Sequence, residues 1–540
     1  MELIHKTITQ CLQARAAACP DRIALASDEG SYTWRELDHL STCMAARMLS
    51  HGVRKGTHAG IWSTNSPNWI ITFLALEKVG AIPVLLNTCY STDELAQVLD
   101  YADVEYVYYG EGYKKLIYAG MVEELKKRLE SKVKRWIYIG RDKERKWMGE
   151  DSFVFAERMK KAAAQVEDCI RQTRPEETAA MLFTSGTTGS PKGVMLSHDN
   201  LVNSSLETCA HMKWDETDRM LIAVPLFHCF GITSSLLSSI HTGFSMYVIE
   251  YFKTMIVLRT VQEQRCTLLN GVPSMFLAVV RNPERKNYDL SSLRRGIIAG
   301  SPYTREEYLE IRKSIPSLVL HASYGQTETS PCVSIGDVGD TDEENAVSAG
   351  RVIEHCEVGI FNLDTCRQVE TGETGEIRVR GYNVMQGYYR LPEETAKAID
   401  PEGWLHTGDL GYLDERHFLY MTGRVKELII RGGENISPVE IENAIRQYPG
   451  VKAVKVIGLP VEVLQEMVVA CVAPEAGASV SETGLKAFLE NRIAYYKIPS
   501  HVVLVDELPV TASGKVALGK LKETAAERIR EQEQAEHKEK

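Results

Sequence analysis

No two of the twelve cysteines, scattered from Cys11 to Cys471, form a C-x-x-C pair. That removes the common zinc and redox spacings and reads as reduced thiols in a cytosolic protein. Long apolar runs are missing too. The greasiest segment, Trp69 to Leu86, is broken by Glu77, Lys78 and Pro83, so no transmembrane segment is expected. The opening MELIHKTITQ has no signal-peptide core. Positive charge is not in excess: 62 Lys and Arg stand against 73 Asp and Glu, a net charge of -11. Nucleic acid, which needs a clustered basic surface, is therefore not expected as a partner. A cytoplasmic location follows from these absences.

What remains is the composition of an ordinary globular protein, 44% hydrophobic and 25% charged over 540 residues, enough for roughly three or four domains. Helical spacing from Glu36 to Leu49 and from Trp69 to Lys78 alternates with short apolar strands at Gly60–Trp62 and Ala81–Leu86. That alternation implies βαβ units and a parallel sheet. Residues 121–174 are charge-rich and read as a solvated helical excursion. From about Val347 the texture changes to short alternating strands such as Glu376–Arg380, a barrel-like or antiparallel layer.

A second boundary falls at Gly423-Arg424-Val425-Lys426. Beyond it Ser437-Pro438-Val439-Glu440 reads as a capped helix start, with Ile441, Ile445 and Tyr448 in one stripe and Pro449-Gly450 as its end. Strands at Val451–Ile457 and Met467–Val472 and a helix from about Ser481 complete an α+β pattern. The expected fold is α/β: a large N-terminal domain of βαβ subdomains with a small barrel-like layer (1–425), a smaller mobile C-terminal α+β domain (426–525) and a charged tail (526–540).

The stretch Phe183 to Gly193, FTSGTTGSPKG, holds three glycines, five hydroxyls and a lysine, with nothing apolar after Phe183. The apolar run Ala179–Phe183 precedes it as a strand, and Ser197 follows as a cap for a helix starting at His198. A loop of this kind offers bare backbone N–H groups and hydroxyls to an anion, with Lys192 adding charge. It is not a Walker loop, because Lys192 follows Pro191 and precedes Gly193. G-x-G-x-x-G also fails here. Nor is there a G-x-S-x-G nucleophile motif, so no covalent enzyme intermediate is required.

Together with Tyr324-Gly325-Gln326-Thr327-Glu328-Thr329, Trp404-Leu405-His406-Thr407-Gly408-Asp409-Leu410 and Thr511-Ala512-Ser513-Gly514-Lys515, this loop resembles the adenylate-forming superfamily. Its members include acyl-CoA synthetases, peptide-synthetase adenylation domains and luciferases. The resemblance runs from Ser31-Tyr32-Thr33-Trp34-Arg35-Glu36-Leu37 to Lys515 with the motifs in family order, and bacterial-type fatty and medium-chain acyl-CoA synthetases are the most similar group.

The resemblance implies a role for each matching residue. Thr184, Ser185, Gly186, Thr187, Thr188, Gly189 and Lys192 would hold the phosphates of ATP. Gly300-Ser301-Pro302 would flank adenine, and Tyr324, with Gly325 at the turn, would stack on it. Thr327 would contact the α-phosphate, and Glu328 with Thr184 would hold Mg²⁺, which prefers hard oxygen ligands shared with substrate phosphates. Asp409, able to accept two hydrogen bonds, would take both ribose hydroxyls, with Arg424 beside it. Phe227-His228 would border the substrate carboxylate. Lys515 would bridge that carboxylate and the α-phosphate, as a cation suited to converging negative charge. The small domain would swing about Lys426 and bring Gly432-Gly433 to line a pantetheine tunnel.

The implied activity is an ATP-dependent carboxylic acid:CoA ligase, with Mg²⁺ as cofactor and ATP and CoA as co-substrates, acting on a fatty or medium-chain acid. Whether it forms a homo-oligomer is left open. An amino-acid adenylating enzyme would need a carboxylate near Phe227-His228, where Cys229 and Phe230 stand instead. Gly149-Glu150-Asp151-Ser152 mimics a carrier attachment site but lies inside the large domain. A stand-alone ligase loading a carrier protein, or one activating an aryl acid, shares the motifs, as does a luciferase-like oxygenase. A non-catalytic binding protein should have lost Lys192, Glu328, Asp409 or Lys515, and all four are present. Gly231, Ser234 and Ser235 suggest a roomy acyl pocket.

Overall fold

Short polar residues set where the helices begin. Thr33 accepts the Glu36 backbone N–H while the Glu36 carboxylate accepts that of Thr33 at 2.8 Å, and this capping box starts the helix Trp34–Ser50. Ser66, followed by Pro67 at the first helical position, starts Pro67–Val79, which stops at Gly80 in the left-handed region (φ 71°). All thirteen residues of Pro67–Val79 are buried, which explains why its sequence is apolar all round. Its two charged residues are accommodated inside: Lys78 Nζ lies 2.6 Å from Asp38 Oδ1, and Glu77 Oε2 lies 3.4 Å from His198 Nδ1. Burial pushes the Glu77 carboxyl well up and the His198 imidazole down to about 4, so the imidazole is neutral near pH 7 and the carboxyl is biased toward its protonated form.

The computed structural model describes residues 2–141, 163–184, 191–431, 434–461, 465–490, 492–494, 497–510 and 516–539. Their contacts divide into two units. One contains residues 1–358, 378–406 and 416–419, and the other 359–377, 407–415 and 420–540.

The first unit carries two large sheets. In the seven-stranded sheet the order is Gly387–Tyr388, Lys192–Ser197, Thr178–Thr184, Ile82–Leu85, His58–Trp62, Tyr106–Tyr109, Arg135–Tyr138. The five strands from Thr178–Thr184 onward run parallel. In the nine-stranded sheet, parallel pairing joins Ile23–Ser27, Ser245–Val248, Arg219–Ile222, Leu268–Leu269, Arg295–Ile298 and Val319–Tyr324 in that order. The crossovers between parallel strands need helices, and the alternating pattern of the first half supplies them. The described residues 121–141 depart from the solvated excursion expected of the segment 121–174. Val122, Leu125, Leu129 and Val133 are buried, and Arg135–Tyr138 is a parallel edge strand beside Tyr106–Tyr109. Residues 142–162, which include Gly149–Ser152, lie outside the described residues.

The layer after Val347 is a four-stranded sheet of Cys356–Phe361, Gly375–Gly381, Leu405–Leu413 and Leu419–Arg424 in that order. In the second unit, Val451–Val461 pairs antiparallel with Gln465–Pro474, which pairs parallel with His501–Leu504. Helix Pro438–Arg446 buries Ile441 and Ile445, as its stripe requires. Ser437 precedes that helix but its side chain does not cap it. Its hydroxyl donates instead to the Thr422 carbonyl at 2.8 Å, tying the helix start to the strand before it. The last helix, Leu518–Glu539, is amphipathic rather than solvated throughout: Leu521, Ala525 and Ile529 are buried, four residues apart, against Ile457, Val469 and Val503.

Leu521→Ala should therefore destabilise the second unit by about 2–4 kcal/mol. Urea denaturation followed by hydrogen exchange in Val451–Pro474 would read this, and a change under about 0.5 kcal/mol would mean the helix merely lies in solvent.

Candidate nucleotide and acyl site

Thr184 and Lys192 face each other across a hairpin. Thr178–Thr184 pairs antiparallel with Lys192–Ser197, with Thr184 opposite Lys192 and Phe183 opposite Gly193. The loop between them is thus a strand-to-strand turn, not the strand-to-helix turn that the sequence suggests. Ser197 does cap the helix His198–Met212, with Asn200 completing the box, but that helix begins only after a further strand of 6 residues, about 20 Å of extended chain. The helix dipole cannot serve an anion at that distance. Of the loop residues expected to meet an anion, Thr184 and Lys192 are described. Ser185, Gly186, Thr187, Thr188 and Gly189 lie outside the described residues.

A third strand completes the arrangement. Gly387–Tyr388 pairs with Lys192–Ser197, setting Tyr388 opposite Val194. Lys192 Nζ lies 4.8 Å from the centre of the Tyr388 ring and donates to Glu394 Oε2 at 2.5 Å. Tyr388 Oη donates to Glu328 Oε1 at 2.9 Å, and Thr184 Oγ1 donates to the same oxygen at 3.4 Å. Glu328 is buried in the short turn Thr327–Thr329, where its carbonyl accepts the Met385 N–H at 2.9 Å. Burial, with the Glu328 carboxylate beside it, pushes the Tyr388 phenol well up, so Tyr388 stays a hydrogen-bond donor. Three sequence candidates (Thr184, Lys192 and Glu328) therefore converge. Tyr388 and Glu394 were not among them. They stand 60 residues from Glu328 and 202 from Lys192 respectively, and no local spacing marks either one.

The nine-stranded sheet brings a second pair of candidates to one end. Arg295–Ile298 and Val319–Tyr324 are parallel neighbours with Ile298 opposite Ala322, so Gly300-Ser301-Pro302 and Tyr324-Gly325 lie at or just beyond the carboxyl ends of adjacent strands. Open α/β sheets bind ligands at such ends. Gly300 needs its lack of side chain for its φ of 86°, while Ser301 and Pro302 are exposed. Gly325 is a glycine for packing: a Cβ there would stand 1.6 Å from the Pro331 carbonyl oxygen.

His228 is exposed, its ring 4.5 Å from that of Phe227. Next to it Cys229 Sγ lies 3.8 Å from Thr327 Oγ1, which joins this segment to the Glu328 turn. Burial pushes the Cys229 thiol up to about 11, so it is no thiolate nucleophile at neutral pH. Gly231, expected to help open a pocket, is packed closely against backbone. A Cβ on Gly231 would meet the Pro225 carbonyl at 2.2 Å, and Ser234 and Ser235 are buried within the π-helical turn Ile232–Leu237.

In the second unit Arg424 Nε donates to the buried Asp409 Oδ1 at 2.8 Å, and the Asp409 N–H donates to Thr407 Oγ1 at 3.1 Å. The two ribose-side candidates are thus partners. Lys426 sits in the short turn Val425–Glu427, and Gly432, Gly433 and Lys515 lie outside the described residues. All twelve cysteines are free. Among the described residues, no helix is long and apolar enough to cross a membrane.

Comparison with known proteins shows the family of the chain. Residues 12–389 match the family model described as AMP-binding enzyme, and residues 440–515 match the AMP-binding enzyme C-terminal domain. YngI of Bacillus subtilis (strain 168), provisionally named an acyl-CoA synthetase, is 37% identical over 97% of this chain and 98% of its own. The mitochondrial medium-chain acyl-CoA ligase ACSF2 of Mus musculus is 31% identical over 98% of this chain and 89% of its own. Among solved structures, the O-succinylbenzoate coenzyme A synthetase (MenE) of Bacillus subtilis, in complex with ATP and a magnesium ion, superposes with a TM-score of 0.79. It is 29% identical, covering 96% of this chain and 100% of that one.

Gly325→Ala should lower stability by about 3 kcal/mol or more, because the clash is with backbone rather than a flexible side chain. Chemical denaturation would measure this, and unchanged stability would show that the turn yields easily.

Proposed function

The chain belongs to the AMP-binding enzymes, and from that premise we propose that it joins a carboxylic acid to coenzyme A, using ATP and forming acyl-AMP on the way. A carboxylate is a poor acylating agent because its leaving group would be oxide. Conversion to a mixed anhydride with AMP, releasing pyrophosphate, supplies a good leaving group. A thiol then displaces AMP, and at a pKa of roughly 8.5 it needs no strong base to provide some thiolate.

The observation that carries this reading is the network joining Thr184, Glu328, Tyr388 and Lys192 beside a glycine- and hydroxyl-rich hairpin loop. Lys192 brings a cation to the β- and γ-phosphates. Both hydrogen bonds that the Glu328 carboxylate accepts from described side chains fall on Oε1, and a single buried carboxylate next to a hydroxyl is a donor set that fits Mg²⁺ shared with substrate phosphates. Glu328 and Thr184 would hold the ion, which when bound would offset the charge of the triphosphate and of the departing pyrophosphate. Tyr324 and Gly300-Ser301-Pro302 serve adenine, Thr327 the α-phosphate, and Asp409 with Arg424 the ribose. His228 positions the acid and Lys515 draws its carboxylate to the α-phosphate. Full-length likeness to proteins named for acyl-CoA synthesis favours a fatty or medium-chain acid, and free thiols throughout suit a cytoplasmic enzyme.

Pyrophosphate release measured over a panel of carboxylic acids, with and without CoA, tests the reading. Release with medium-chain acids and acyl-CoA formation are expected. Product only with an acyl carrier protein as acceptor would move the enzyme to the carrier-loading class, and no release with any acid would sink the proposal.

Lys515→Ala should cut acyl-adenylate formation by at least about 100-fold while sparing transfer from supplied acyl-adenylate to CoA. Equal loss of both half-reactions would make Lys515 structural. Gly433→Trp should do the reverse if the small domain turns about Lys426 and this loop lines the thiol's path. ATP–pyrophosphate exchange should persist while thioester formation stops, and a normal acyl-CoA rate would remove the loop from that path.

A further inference from the structure

Lys192 has an internal anion. Its ammonium donates to Glu394 Oε2 at 2.5 Å, and Lys397 Nζ donates to Oε1 of the same carboxylate at 2.8 Å. Glu394 lies in the first turn of the helix Pro392–Ala398, directly after the strand that presents Tyr388. The Lys192 side chain is only 15% exposed and that of Glu394 33%. A charge-assisted bond in such a partly desolvated place is stronger than one in open solvent. The bonds from Lys192 first, and Lys397 next, pull the Glu394 carboxyl down to about 2, so it is anionic at any working pH. Among the described residues the Tyr388 ring, whose hydroxyl binds Glu328, also lies beside the ammonium. The lysine and the metal-side carboxylate are therefore linked through one aromatic side chain.

An ammonium has three donors, and one of them points at a fixed carboxylate. A phosphate reaching Lys192 meets a like charge there and must share or displace it. We propose that Glu394 is a positioning residue acting through Lys192, a built-in anionic competitor that weakens the hold on polyphosphate and so eases the departure of pyrophosphate. Lys397 moderates that competition by drawing on the other oxygen of the same carboxylate.

The proposal rests on the assignment of Lys192 to the phosphates, and the test separates the two. Glu394→Gln keeps the shape and removes the charge. Its KM for MgATP and its inhibition constant for pyrophosphate should both fall by about 3- to 10-fold, with no rise in kcat because pyrophosphate leaves more slowly. Glu394→Asp, which restores the charge, should return both constants toward the wild-type values. Lys397→Gln, at a side chain 71% exposed, should act in the opposite sense, raising the KM for MgATP by about 2-fold. That rise should vanish in the Glu394→Gln background. A purely structural role for Glu394 would not produce opposite, non-additive shifts. A KM that rises in Glu394→Gln would mean that Glu394 aims Lys192 rather than competing for it, and unmoved constants would mean it does neither. Either result overturns the proposal. A wild-type protein that releases no pyrophosphate with any acid would instead overturn the assignment of Lys192 itself.

Discussion

Thr184 stands opposite Lys192 across an antiparallel pair, and the placing of the candidate phosphate-side residues depends on the register of that pair. Successive residues of a strand face opposite ways, so a slip of one position would turn every side chain to the other face. With the observed register the loop leaves and rejoins the sheet at two residues able to meet an anion, a hydroxyl on one side and an ammonium on the other. The same strand, Lys192–Ser197, also pairs on its far edge with Gly387–Tyr388, and this brings the Tyr388 ring to the lysine and its hydroxyl to Glu328.

The register is held by what lies beneath it. Met181 and Leu182 pair in parallel with Val84 and Leu85, so the hairpin continues a buried parallel sheet. Met181, Leu182, Val84 and Leu85 are all buried, as strands covered on both faces require. A loop rich in glycine and hydroxyls contributes little packing of its own. Its two ends are therefore set by the strands that flank it, Thr178–Thr184 and Lys192–Ser197.

Much of this could be read from the chain itself. The helices Trp34–Ser50 and Pro67–Val79 and their capping residues agree with their local patterns, and the motif residues Thr184, Lys192 and Glu328 were recognisable by type and order. Errors came where a local pattern has two physical outcomes. A cap at Ser197 and an apolar run ending at Phe183 suit a strand–loop–helix as well as a hairpin followed by a helix. Small residues at Gly231, Ser234 and Ser235 suit a pocket wall as well as close packing. A serine before Pro438 can cap a helix or, as here, bind the carbonyl of another strand.

Residue identity and short spacing determined the family, the helix starts and the chemistry available, because caps, turns and phosphate-binding loops are built from neighbours along the chain. The partnerships that make those groups a site were decided by the tertiary structure. Tyr388 reaches Glu328 across 60 residues and Glu394 reaches Lys192 across 202. Only the pairing of the strands Gly387–Tyr388 and Lys192–Ser197 brings Tyr388 beside that lysine. Side chains far apart in sequence become partners through the register of the sheet beneath them, and that register depends on buried packing that no local stretch encodes.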